Sequence, residues 1–207
     1  MEYQAEFGVF VEAVFNHKKI LEAVEKEEPV DLESLFNPYE PSYAGLDWGF
    51  RHPTVLTIVR KQKDGRIRVL HVEAWKEKPY LQVVEEIKQL CKTFKVEKVY
   101  ADSSGVIENQ VLAAENINVE PVVFSTEKHR MVSNLRMLFE QGKIIIPETY
   151  SETVKELLNY SYKSSDKGGV TYSKFRDDHV DSLMLAVGKM FQKPSEVFIF
   201  GFRNKKL

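Results

Sequence analysis

Apolar and polar positions follow two rhythms along this chain. In YAGLDWGF (43–50), Tyr43, Gly45 and Asp47 alternate onto one face and Ala44 and Leu46 onto the other. That is the period of a strand, ended by a turn at Gly49. Residues 54–62 and 67–75 are rich in β-branched side chains, and the Asp64-Gly65 pair between them is a hairpin signal. Three antiparallel strands are predicted. From residue 79 the period becomes helical. Leu81, Val84, Ile87, Cys91 and Phe94 predict a helix over 79–94, with Pro79 tolerated in its first turn. A buried strand follows over 95–105, with Tyr100 and Asp102 on one face, then a short helix near 107–114 and a strand near 119–124. Met131, Leu135, Leu138 and Phe139 predict an amphipathic helix over 128–143, stopped by Gly142. Residues 144–147 form a brief extended run, and Ser151 reads as the N-cap of a helix through Tyr160. Residues 160–175 alternate and turn at Asp166-Lys167-Gly168-Gly169, a β-hairpin pattern. In FRDDHVDSLMLAVGKM (175–190), Val180, Leu183, Met184 and Val187, with Phe191 beyond, recur at helical spacing.

Three antiparallel strands followed by alternating helices and strands imply an α/β domain with a mixed sheet. The first strand should be central, with the fourth parallel beside it. Ligands in such sheets gather at the carboxyl ends of parallel strands, where Asp47 and Asp102 both fall. The domain is expected over 43–193. Residues 1–42 open on a mixed apolar segment, EYQAEFGVFVEAVF, and continue into a charged stretch that is short on core residues and ends in prolines; together they read as an N-terminal arm or linker, with a peripheral helix as the alternative. Residues 194–207 read as a C-terminal tail.

The formal charge of the 207 residues is −2, so any contact with nucleic acid must come from a local patch. The single cysteine, Cys91, excludes an internal disulfide and a Cys-rich zinc site and fits a reducing compartment. Glu2, Glu6 and Glu12 leave no visible signal peptide, and no run has the length of a membrane span. A cytosolic protein is expected.

The candidate chemistry is acidic. Asp178 and Asp181 are three apart, on one side of the first turns of the last helix. If they meet Asp47 and Asp102, repulsion dominates: two carboxylates about 4 Å apart repel by roughly 4 kcal/mol at an effective dielectric near 20. Such a set needs cations, and oxygen ligands suit Mg²⁺ or Mn²⁺. A pair of such ions can activate a water and stabilise the leaving oxygen of a phosphodiester. Taken singly, each Asp also suits a turn or cap, and Asp177, Asp178 and His179 could simply complement the helix dipole.

The segments YAGLDWG, VYADSSG and DDHVDSLMLA together resemble the nuclease domain of the large terminase subunit of tailed bacteriophages, a ribonuclease-H-like family. The resemblance covers roughly residues 43 to 191, and EYQAEFGVFVEAVF resembles the segment after the ATPase motor of such subunits. It implies a mixed five-stranded sheet flanked by helices, with an added β-hairpin. It also implies an endonuclease that cuts double-stranded viral DNA concatemers during packaging, using two ions, Mg²⁺ or Mn²⁺. Carried over by motif, Asp47 bridges both ions, Asp102 is the second acid, and Asp178 and Asp181 match the D-x-x-D shared with RuvC-type resolvases. Asp177 is the alternative ligand on that helix. The implied partners are the ATPase motor domain of the same subunit, the portal protein and the small terminase subunit. The implied setting is the cytoplasm of an infected bacterium, with a monomer in isolation and no membrane. No G-x-x-x-x-G-K-[ST] run occurs, so the expected unit is the nuclease without its motor.

Double-stranded DNA would meet the hairpin through Lys163, Lys167, Lys174 and Arg176, with Tyr160, Tyr162 and Tyr172 stiffening it, and Lys128 and Arg130 adding to the patch. The alternative is an ordinary solvated hairpin. Competing readings are a junction resolvase and a non-catalytic docking module. A sugar-kinase-like ATPase would need a second Gly-rich loop that the sequence lacks.

Overall fold

The computed structural model describes residues 11–26, 35–164, 170–172 and 177–188. Its main sheet grows from β3 (Ser42–Asp47). β4 (Thr54–Lys61) pairs antiparallel with β3, and β5 (Ile67–Trp75) antiparallel with β4. Gly65, at φ 86°, supplies the left-handed position of the turn between them. On the other side of β3, β6 (Val96–Asp102) and β7 (Val119–Val122) run parallel to it. The five expected strands are therefore present, in the order β5-β4-β3-β6-β7.

Two further strands extend that sheet. The extended run at 144–147 is β8 (Ile144–Pro147), parallel to β5, and β2 (Val24–Glu25) lies parallel beyond it. β1 (Val11–Ala13) joins the predicted hairpin, pairing with β9 (Ser161–Ser164), which pairs with β10 (Val170–Tyr172). Residues 11–26, expected to be part of an arm, are thus built into both sheets. Val14, Phe15 and Ile20 are buried in the main core, and the α1 helix (His17–Ala23) is capped by Asn16, whose side chain accepts from Lys18 N at 3.0 Å. Val14 and Phe15 come from the mixed apolar opening segment and Ile20 from the charged stretch after it, and these three anchors dock the short helix. The tail at 194–207 lies outside the described residues, as does Phe191.

Helices cover both faces. α2 (Tyr80–Thr93) and α3 (Val106–Ala114) pack on the side of Ala44, Leu46 and Val99. Val83 replaces Leu81 on the buried stripe of α2, and Leu81 is exposed, because it lies to the flank of the stripe centred on Val84, Ile87 and Cys91. Burial pushes the Cys91 thiol up to about 11. The opposite face carries α1, α4 (Phe124–Glu140), α5 (Ser151–Asn159) and α6 (Asp178–Gly188). Ser151 is the first residue of α5 and not its cap; Tyr150 occupies that place with no side-chain cap bond.

α6 lies directly on the centre of the sheet. A Cβ on Gly45 would sit 2.0 Å from Ser182 O and 2.3 Å from Ala186 N, so only glycine lets the helix backbone come this close. The Thr57 and Ser182 hydroxyls share a buried hydrogen bond of 2.6 Å across the same contact. No helix among the described residues is long and apolar enough to cross a membrane.

Candidate active site

Asp47 and Asp102 are the last residues of β3 and β6, neighbouring parallel strands in which Leu46 pairs with Ala101. Pleating sends Asp47 to the same face as Gly45, the face on which α6 lies. α6 begins at this end of the sheet, with Asp178 and Asp181 in its first turn. The loops after both strands are tied together. The Trp48 indole donates to Asn109 Oδ1 at 2.8 Å, and Asn109 Nδ2 donates to the Asp102 carbonyl at 2.9 Å. The Asp102 carboxylate accepts from Ser104 N at 3.1 Å and from Ser104 Oγ at 2.8 Å, which fixes its direction.

All three acidic segments therefore meet. The Asp47 carboxyl is pushed up to about 9 by burial and then by the charges of Asp181, Asp178, Asp102 and Asp177. Burial also raises Asp181 to about 7, against the pull of Lys128. Asp178 is raised by burial, with His52 offsetting part of the effect.

Lys128, expected on a DNA patch, points instead into the acids. Its ammonium donates to Asp181 Oδ2 at 2.9 Å and to Asp177 Oδ2 at 3.3 Å, beneath the rings of Phe124 and Tyr160. Burial works against its charge, yet Asp181 and Asp177 together hold its pKa above the ordinary lysine value. Arg130 pairs with Glu127 and donates to the Gly188 carbonyl at 3.3 Å. Lys163 is exposed on β9, whereas Lys167, Lys174 and Arg176 lie outside the described residues. The structure thus does not draw the six basic residues into one patch among those it describes.

Sequence reasoning missed Glu156. Its carboxylate accepts from His179 N at 2.8 Å and from Val180 N at 3.4 Å, capping α6 from α5. Burial, opposed by the His179 amide, takes it up to about 7. The imidazole of His179 turns away to Thr153 Oγ1, at 3.1 Å. Both surprises carried a signal. Lys128 shares a helical stripe with Phe124, Met131, Val132 and Leu135, and Glu156 shares one with Thr153, Leu157 and Tyr160. A charge on a buried stripe needs a partner.

The acids floor a cleft of about 710 Å³ lined by Asp102, Asp177 and Asp181 on one side and by Tyr172 of β10 on the other. Asp181 Oδ1 is buried with no hydrogen-bond partner. Among the described residues, no three acidic, histidine or cysteine side chains are already arranged around an ion. The mutual charge of Asp47 and its neighbours shows convergence all the same, and the ammonium of Lys128 occupies the place of a cation at Asp181. An all-oxygen donor set with an unpartnered buried oxygen fits a hard divalent ion.

The family model of the terminase RNaseH-like domain matches residues 44–189, which contain every one of these acids. The chain belongs to that family. This terminase RNaseH-like domain is 28% identical over 170 residues to the large terminase subunit of Escherichia phage T5, covering 78% of this chain and 37% of that protein. It is also 28% identical over 195 residues to the large terminase subunit of Thermus phage G20c, covering 89% and 39%. The chain therefore spans under two fifths of the length of these relatives. The crystal structure of the large terminase nuclease of phage G20c with bound magnesium superposes with a TM-score of 0.67 at 25% identity, covering 84% of this chain and 95% of that one.

Proposed function

We propose that this terminase domain is a divalent-metal-dependent endonuclease that cuts double-stranded viral DNA concatemers during genome packaging. The observation that carries this reading is the meeting of Asp47, Asp102, Asp177, Asp178 and Asp181 from three distant segments, with Asp47 raised to about 9. The similar nuclease of phage G20c has been crystallised with magnesium and with cobalt, which supports a divalent ion here.

In this reading Asp47, Asp102, Asp178 and Asp181 hold two ions, Mg²⁺ or Mn²⁺, with Asp177 in reserve on the helix. Such ions supply water activation and stabilise charge at the leaving oxygen. The protein contributes geometry. Gly45 seats α6, Ser104 aims the Asp102 carboxylate, and Glu156 fixes the start of α6. The Asp47 carboxyl must give up a proton to become a ligand. Lys128 neutralises Asp177 and Asp181 and keeps the acids assembled. In this reading Lys163, Lys167, Lys174 and Arg176 of the hairpin region are the residues that contact DNA phosphates. Tyr172 walls the cleft, so the hairpin also restrains access to the acids. The ATPase motor of the same subunit, the portal protein and the small terminase subunit are the proposed partners.

Plasmid digestion with Mg²⁺ or Mn²⁺, with and without chelator, tests the reading. Nicking and linearisation are expected with either ion and none with chelator. Wild-type cutting by Asp47→Asn would refute the assignment.

A further inference from the structure

A second cavity, of about 310 Å³, opens at the loop that follows Asp47, on the face of the sheet opposite α6. That is the lower end of the range for small-ligand pockets, about 300–1,000 Å³. Its walls are aromatic: Trp48, Trp75 and Tyr80 inside, with Phe50 at the rim. Trp48 and Tyr80 lie 5.8 Å apart, centroid to centroid, and Phe50 is 78% exposed. Arg51, His52 and Lys76 ring the opening. Lys78 is paired with Glu86, and Glu77 and Glu108 add negative charge at the edges.

The loop carrying these groups is held tightly. Gly49 N donates to Thr54 Oγ1 at 3.1 Å, and a Cβ on Gly49 would lie 2.2 Å from His52 O and 2.3 Å from Pro53 O. Phe50, Arg51 and His52 are therefore presented outward on a closed turn that starts one residue after Asp47. The wall of the cavity is linked to the acid-bearing segments in two ways. Trp48 is bonded through Asn109 to the Asp102 carbonyl, and His52 lies near enough to Asp178 to act on its charge.

An aromatic slot with cations at its mouth suits a base and its phosphate. A slot this size takes one ring face, and paired bases in a duplex expose only their edges. We propose that this cavity binds an unpaired nucleotide of the DNA strand beside the phosphate held at the acids, its base against Trp48, Tyr80 and Phe50 and its phosphate on Arg51, His52 and Lys76. The proposal deepens the nuclease reading and rests on it: the strand is opened locally where it is cut.

The two tryptophans of the chain both line this cavity, so their emission reports on it directly. The protein, in chelator so that nothing is cut, is titrated with a short single-stranded oligothymidylate. Saturable quenching is expected, with much less from a blunt, fully paired duplex of the same length. Phe50→Ala and Arg51→Ala should each weaken binding about tenfold, the range of one stacked base or one phosphate contact, and Phe50→Trp should restore it. Both side chains are exposed, so folding is preserved. Binding of a labelled strand without quenching, or an unchanged affinity in Phe50→Ala, overturns the proposal. The two readings fail separately. Cutting that is abolished by Asp47→Asn, with no quenching by any strand, removes the nucleotide site alone. Quenching without metal-dependent cutting removes the nuclease, and with it the assigned role of the site.

Discussion

Asp47 is held at a cost to the fold. Its carboxyl is raised to about 9 by burial and by four other carboxylates, so the metal-free protein must either protonate it or bear the repulsion. Asp47→Asn keeps the shape and removes that burden. The metal-free variant should therefore melt a few degrees higher than wild type, since each kcal/mol is worth about 2–4 °C at this chain length. Its cleavage should fall at least about a hundredfold, because losing a metal ligand forfeits several kcal/mol of transition-state stabilisation. Calorimetry and plasmid cutting on the same preparation would check both halves; a variant that melts lower and cuts normally contradicts them. Lys128 is the converse case. Lys128→Met leaves Asp181 and Asp177 without their cation, and the lost charged hydrogen bonds should lower metal-free stability by about 2 kcal/mol. Millimolar Mg²⁺ should recover most of that loss if the ion and the ammonium serve the same carboxylates. Urea unfolding with and without Mg²⁺ measures it, and a deficit indifferent to the ion would separate Lys128 from the metal site.

At the scale of elements, the acids depend on one contact, that of α6 against β3. A methyl on Gly45 would overlap the backbone of α6 at Ser182 and Ala186. Gly45→Ala should push the helix off the sheet and destabilise the domain by about 1–3 kcal/mol, the usual range for overpacking. It should weaken divalent-ion binding beyond what stability alone explains, because Asp178 and Asp181 ride on the displaced turn. Isothermal titration with Mn²⁺ on folded Gly45→Ala decides it; unaltered affinity would mean the acids are not positioned by this contact. The same contact shows what a sequence carries. β-branched runs announced β4 and β5 and the apolar stripe of 178–188 announced α6, whereas the alternation in β3 assigns Gly45 its strand face but not its contact with α6. Long-range pairings left no local trace: β2 against β8 and β1 against β9 join residues more than a hundred positions apart. The Lys128 pairing was hidden for a related reason. A helical wheel shows that a charge faces inward, but not which distant carboxylates wait there.

For the whole molecule, the raised acids fix how stability answers to pH. Asp47 sits at about 9 and Asp181 and Glu156 at about 7 when folded, against roughly 4 for carboxyls in an unfolded chain. Between those values the folded state binds more protons than the unfolded one, so stability falls as pH rises. Their contribution is fully present below about pH 4 and is lost by about pH 7 for Asp181 and Glu156 and by about pH 9 for Asp47. Divalent ions held as proposed should reverse part of this. Ligand carboxylates are ionised in the complex, so binding expels protons and tightens as pH rises. Melting temperatures in chelator should therefore decline between about pH 5 and 9, and the decline should be shallower with saturating Mg²⁺. Asp47→Asn should flatten the upper end of the chelator curve, where Asp47 alone is still titrating. Parallel curves with and without Mg²⁺ would mean that the acids titrate independently of the ion and do not hold it.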